Sequence, residues 1–322
     1  MAVGTKANVQ IENEFVHAGW TEVVAGTVDG FNGATSNTIR FITEDGMGDY
    51  LRENYFSEIA TLISHRDPTS TSAQTASPLA EIRQSKVRVT RKLDLVENTL
   101  DSFNLIGMTE NEFNFAIGTQ LAAAQMQDML DTAILAVEAA LDGQASQEHP
   151  DAAATISIED LVTGLSKMGD AASLIRHWIM HSKAAHDLMS DHITNAIDGP
   201  ASLVILNGDN AALGRNILQR DAAALFRDKT TDEYVTLGLV ENAVTCQLAK
   251  PPKVLSGLKE GGENITMFYQ AEYDFFLSLK GMTWDETNGG AAPTDATLGT
   301  STNWDQISAD DKNLPGVHIR TQ

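Results

Sequence analysis

The chain has 322 residues, 42% of them hydrophobic and 20% charged, enough to bury a sizeable core in one large or two moderate domains. Its 44 acidic residues against 22 Lys and Arg give a net charge of −22, which argues against a protein that grips nucleic-acid phosphates over a broad surface, since that binding runs on cations displacing counterions. The single cysteine, Cys246, excludes an internal disulfide and every multi-cysteine metal site and points to a reducing compartment; no apolar run has the length of a signal-peptide core or a membrane helix.

Residues 1–38 scatter Phe15, Val16, Trp20, Val23, Val24 and Phe31 among Gly, Thr, Asn and Asp, which reads as an extended arm that lies on the body of its own chain or on a neighbour. A short strand is expected at Thr38–Phe41, and Tyr50–Ile63 reads as helical with Leu51, Tyr55, Ile59 and Leu62 on one face. The small polar stretch from Asp67 to Pro78 reads as a loop. From Ile82 to Leu95, Val87, Val89, Leu93 and Leu95 recur at every second or fourth position among polar residues, the period of a strand. That strand holds Arg83, Lys86, Arg88, Arg91 and Lys92 and no acid over ten residues. Three readings of it compete: a solvated edge strand protected by its charges, a nucleic-acid patch without interleaved aromatics, and a protruding hairpin whose cations meet the acidic surface of another copy.

The dominant element is expected from Thr109 to Gly143. Thr109 and Glu112 form a capping box, and Phe113, Ile117, Leu121, Met126, Leu130, Ala133, Val137 and Leu141 lay an apolar stripe along one long helix that Gly143 would stop in a left-handed conformation. No Lys or Arg occurs between Lys92 and Lys167, so the helical carboxylates have no cation of their own helix to pair with, and the helix must be held by packing, most simply on a sheet built from later sequence. Further on, Ile158–Met168 reads as a helix, Trp178–Met180 as a buried strand followed by a helix around Lys183–Met189, Leu203–Leu206 as a short strand, and Tyr234–Leu248 as one or two strands. Pro251–Pro252 and Gly257–Gly262 read as a boundary loop. Ile265–Leu279, with Phe268, Tyr269, Tyr273, Phe275 and Phe276 on both faces, reads as a strand covered on both sides.

A search for chemistry returns little. His177, His181, His186 and His192 cluster in sequence with Asp187 and Asp191 nearby. A helix would put His177 and His181 on one face, but the Trp178–Met180 core favours a strand that holds them about 13 Å apart, and no glutamate follows His177 to make a metalloprotease pattern. Dinucleotide, phosphate-loop and nucleophile-elbow motifs are absent from the sequence, and Cys246 sits in an apolar strand context. No catalytic, cofactor-binding or metal-ligating residue is assigned.

The order of parts, namely arm, basic excursion, long helix, mixed α/β portion and a returning aromatic strand, resembles the major capsid proteins of tailed bacteriophages. The resemblance is carried by Trp178-Ile179-Met180-His181-Ser182-Lys183-Ala184-Ala185, by Leu213-Gly214-Arg215-Asn216-Ile217 followed by Asp221, and by Gly238-Leu239-Val240-Glu241-Asn242-Ala243-Val244. It is densest in the tail, at Lys280-Gly281-Met282-Thr283-Trp284-Asp285, Pro293-Thr294-Asp295-Ala296, Asn303-Trp304 and Leu314-Pro315-Gly316-Val317. It implies an α+β fold with an N-terminal arm (1–38), an extended loop (39–95), a peripheral domain (96–149 and 262–322) containing the long helix, and an axial domain (150–261). It implies self-assembly into pentamers and hexamers of an icosahedral head around double-stranded DNA, in the host cytoplasm and then in the virion, with no cofactor and no membrane. The implied partners are further copies of the chain, a separate scaffolding protein, a portal and decoration proteins. Lys86, Arg88 and Lys92 would contact acidic residues of an adjacent subunit; no pattern around Lys86 or Lys92 marks a crosslinking lysine. The alternatives are an encapsulin-like protein compartment and, from another class, a metal-dependent enzyme built on the histidines of 177–192.

Overall fold

A computed structural model describes residues 20–21, 23–24, 28, 31–33, 35–43, 46, 48–56, 63, 65–66, 68–71, 73, 81–99, 110–150, 154–195, 204–206, 209–229, 231–259, 262–307 and 310–322. In chain order the elements are β1 (Ile39–Ile42), β2 (Tyr50–Phe56), β3 (Glu81–Thr99), α1 (Glu110–Asp142), β4 (Glu148–Pro150), α2 (Ile158–Lys167), β5 (Ile175–Met180) and α3 (Ser182–Asn195). There follow β6 (Val204–Leu206), β7 (Asp209–Ala212), β8 (Arg215–Gln219), β9 (Phe226–Arg227), β10 (Glu233–Val240), β11 (Val244–Lys259) and β12 (Thr266–Leu279). The chain ends through β13 (Met282–Trp284), α4 (Asp295–Leu298), β14 (Trp304–Gln306) and β15 (Gly316–Thr321).

Two sheets share one core. The first has the order β1-β11-β12-β3-β2, antiparallel except where β1 runs parallel to β11. The second runs β4-β15-β10-β5-β8-β7-β6, with β9 attached to β10. The fold is α+β, as expected. In the second sheet β5 is buried along almost its whole length and β10 from Val235 onward, because both faces are covered. One face packs on α1, where His318 and Arg227 meet Glu138. On the other, Gly164 of α2 lies so close to Ile319 that a side chain there would overlap it.

α1 is the expected long helix to within one residue at each end. From Thr132 to Leu141 every residue except Leu135 is buried, so this half has no solvent face and is a core rod rather than a helix with one stripe. Its carboxylates are served from outside: Asp128 by Arg91 of β3, Asp131 by Arg220, and Glu138 and Asp142 by Arg227 of β9. Gly143 does not adopt the left-handed conformation; the helix ends in a tightened turn, Gln144 N–H to Leu141 C=O at 2.9 Å. The capping residues Thr109 and Glu112 lie outside the described residues or side chains. A capping box that the sequence reading passed over is present at α2, where the Ser157 hydroxyl accepts from Asp160 N–H and the Asp160 carboxylate accepts from Ser157 N–H.

Three expectations need correction. Tyr50–Phe56 is a strand, not a helix: it pairs antiparallel with Glu81–Val87, and the ladder outweighs a four-residue apolar spacing. Pro251–Pro252 is no boundary loop, since β11 runs through it and absorbs the missing N–H groups in register irregularities between Leu248 and Lys253. Within the arm, Trp20, Thr21, Val23, Val24, Val28 and Phe31–Gly33 are helical rather than extended. Trp20, Val24 and Val28 are buried in the main core, and the Trp20 indole donates to Gln125 Oε1 of α1 at 2.7 Å.

Candidate assembly surface

The basic strand is the middle of a long ribbon. At its base β3 is zipped to β2, from Tyr50 opposite Val87 to Phe56 opposite Glu81; beyond Val87 it continues with β12, and β12 with β11, to Thr99, Thr266 and Lys259. Val87 and Val89 face the core and are fully buried, which turns Lys86 and Arg88 to the other face. At the far end the packing thins. Leu93, Ala271 and Val254 form a small cluster with Leu121 of α1, separate from the main core, while Leu95 and Leu255 are 52% and 59% exposed.

Each cation of the strand has a partner. Lys86 is held by Glu53 on β2 and Arg88 by Asp274 on β12, both partly buried. Arg83 and Arg52 converge on Glu286, which also accepts from the Ser85 hydroxyl at 2.7 Å. The Arg52 hydrogen bonds, followed by those of Ser85 and the charge of Arg83, hold the Glu286 carboxyl far below the usual range, at about 2. Arg91 faces the opposite way, toward α1, giving Nε to Asp128 at 3.1 Å and Nη2 to Thr132 at 3.0 Å and to Asp295 at 2.5 Å. Burial, and then the charge of Asp128, raises the Tyr273 phenol that donates to the same Asp128 carboxylate at 2.8 Å. Lys92 stands apart: its side chain is 72% exposed, and it pairs with Asp94, itself 86% exposed, at 2.9 Å. Lys86, Arg88 and Lys92 therefore share one strand, but only Lys92 presents its charge to solvent. The acidic partners were invisible in the sequence because Glu53, Asp274 and Glu286 arrive from distant segments.

Beside Arg91 a groove of about 500 Å³ opens along α1. Small residues line it from two sides, Ala222, Ala223 and Ala224 before β9, and Ala296 and Gly299 at α4. Asp128 and Asp131 of α1 and Asp295 of α4 supply its carboxylates; the guanidiniums of Arg91 and Arg220 answer two of these charges.

The histidines of 177–192 are dispersed. His177 is buried on β5 with Nδ1 3.3 Å from the Thr38 hydroxyl, His181 packs at a tilt against Tyr234 and Phe226 and faces Asp221 at 3.5 Å, and His186 is exposed on α3; the His192 side chain lies outside those described. The one group of three metal-capable donors among the described residues is elsewhere, at Glu138, Asp142 and His318. There the Arg227 guanidinium bonds both carboxylates and already supplies the positive charge that a metal would bring. Burial pushes the Cys246 thiol up, away from nucleophilic chemistry. Among the described residues no helix is long and apolar enough to cross a membrane.

Several solved phage structures share this fold. The capsid asymmetric unit of cyanophage Pam1 aligns with 12% identity and a TM-score of 0.56 over 88% of each chain. A protein of Microbacterium phage Oxtober96 aligns with 12% identity and a TM-score of 0.54 over 90% of this chain and 91% of that one. The acid-stable capsid of Helicobacter pylori bacteriophage KHP30 gives 8% identity and a TM-score of 0.51 over 88% and 86%. No curated protein matches in sequence. The sequence model of the Gp13-like family, described as major capsid protein 13-like, matches residues 8–318. The chain belongs to that family of major capsid proteins.

Proposed function

We propose that the chain is the shell subunit of a tailed-phage head, assembling as pentamers and hexamers of an icosahedral capsid around double-stranded DNA. The observation that carries this reading is the family match over residues 8–318, together with a fold shared with capsid chains along nearly their whole length. It assigns no catalytic role, in keeping with histidines that point to separate neighbours and a buried thiol. A net charge of −22 suits an inner wall along which packed DNA slides without adhering.

In this reading residues 1–38 are the arm, 39–95 the extended loop, 96–149 with 262–322 the peripheral domain and 150–261 the axial domain, with β11 carrying the end of the axial segment out along the ribbon. Lys86, Arg88 and Lys92 contribute to the contact with an adjacent subunit, Lys92 directly and the other two by fixing the ribbon that carries it. A separate scaffolding protein, a portal and decoration proteins complete the assembly. Electron microscopy of the chain produced with its neighbouring phage genes tests the proposal: closed shells are expected, and a monomer that persists beside a scaffolding partner overturns it. Mass spectrometry of the contents separates a DNA-filled head from a compartment enclosing protein.

A further inference from the structure

Three Asn-Gly pairs occur in the chain, at Asn32, Asn207 and Asn288. In such a pair the missing glycine side chain lets the backbone nitrogen reach the asparagine carboxamide: the N–Cγ bond forms, the Cγ–Nδ2 bond breaks and the side-chain nitrogen leaves as ammonia. Water then opens the cyclic imide to aspartate or isoaspartate. Asn288 is exposed, on the turn that follows β13. Its glycine is not exchangeable, because a Cβ on Gly289 would stand 2.2 Å from the Trp284 ring, whose Nε1 donates to Gly290 C=O at 3.0 Å. The turn that wraps Trp284 therefore carries a reactive pair it cannot give up.

Asp285 holds that pair shut. One of its carboxylate oxygens accepts from Thr287 N–H at 2.8 Å and from Asn288 N–H at 3.1 Å, and the other accepts from the Asn288 side-chain amide. These donors, the Asn288 backbone N–H first, keep the Asp285 carboxyl below its usual range. The nucleophile is engaged as well, since Gly289 N–H donates to Asp285 C=O at 2.9 Å, a single helical turn closed on itself. Attacking nitrogen and leaving amide are thus bound to one residue, and both must come free before the imide ring can form. We infer that Asn288 is a deamidation site kept latent by the folded turn, with Asp285 as its positioning residue. Two residues before it Glu286 fastens Arg52 and Arg83 at the root of the ribbon. Deamidation would add a carboxylate beside Asp285 and, as isoaspartate, lengthen the backbone of the turn by one methylene.

The test incubates the full chain at one mildly alkaline pH and temperature, folded and unfolded in guanidinium chloride, and follows the aspartyl and isoaspartyl forms of the Asn288 peptide by mass spectrometry. Conversion about tenfold or more slower in the folded chain is expected, the scale set by opening hydrogen bonds to a charged group; equal rates overturn the latency. Asp285→Asn keeps an acceptor for the two backbone N–H groups but cannot take the side-chain amide as well. It is expected to speed conversion in the folded chain several-fold at an unchanged melting temperature, and a variant that converts no faster than wild type removes Asp285 from the role. Hydrogen exchange of the wild-type chain needs no variant: slowed exchange at Thr287, Asn288 and Gly289 is expected, and free-peptide rates there refute the closed turn.

Discussion

Glu286 illustrates how much of the ribbon depends on single side chains far away in sequence. One carboxylate gathers Arg52 from β2, Arg83 and Ser85 from β3, and so fastens the root of the ribbon to the turn after β13. Its pKa falls from the ordinary 4.5 to about 2, so the stabilisation is complete above the unfolded value and is lost as pH drops through the folded one. Glu286→Gln is expected to lower Tm by no more than about 3 °C at neutral pH, because the arginines are half-exposed and screened. The gap between variant and wild type should stay constant above pH 5 and close as the pH falls toward 2; thermal melts across that range at fixed ionic strength check it, and a gap that widens in acid contradicts the assignment.

At the scale of elements, the arm shows what a local pattern hides. Trp20, Val24, Val28 and Phe31 recur at helical spacing, yet the Gly, Thr and Asn between them read as loop chemistry. What fixes the helix is the surface of α1, where Trp20 finds both an apolar bed and the Gln125 acceptor. Trp20→Ala is expected to cost about 3–5 kcal/mol, read as a large fall in the chemical-denaturation midpoint, while Trp20→Phe keeps most of the burial and loses the hydrogen bond alone. Long elements such as α1, β3 and β12 were legible from sequence alone because their own residues specify them. Tyr50–Phe56 was not: Tyr55 is 48% exposed, so this edge strand has little burial alternation, and only its register with β3 distinguishes it from a helix. The basic strand was legible as a strand but not as a set of satisfied charges. The groove was invisible, since its lining residues come together only across α1, the turn before β9 and α4.

For the whole molecule, acid outnumbers base two to one, yet the described arginines of the ribbon and those that face α1 are placed where carboxylates concentrate. Electrostatics here is local neutralisation inside a subunit that stays anionic as a whole. Reversing Lys86 and Arg88 together, as Lys86→Glu with Arg88→Glu, sets like charges against Glu53 and Asp274 and should splay the ribbon without unfolding the core. The expected outcome is a chain with wild-type far-ultraviolet circular dichroism that forms few or no closed particles. Normal particles from this double variant, seen by electron microscopy, would remove the ribbon from the assembly contact.

The placement of β15 sets a clock. Gly316–Thr321 lies between β4 and β10, inside the eight-stranded sheet, and β1 joins β11 across about 200 residues of chain. The eight-stranded sheet cannot close before β15 is made, whereas the first needs nothing beyond β12; both rely on pairings of the distant kind that delays folding. Until β15 pairs, ribbon and groove stand on an unfinished body, and the core that positions them is completed only when that strand joins β4 and β10.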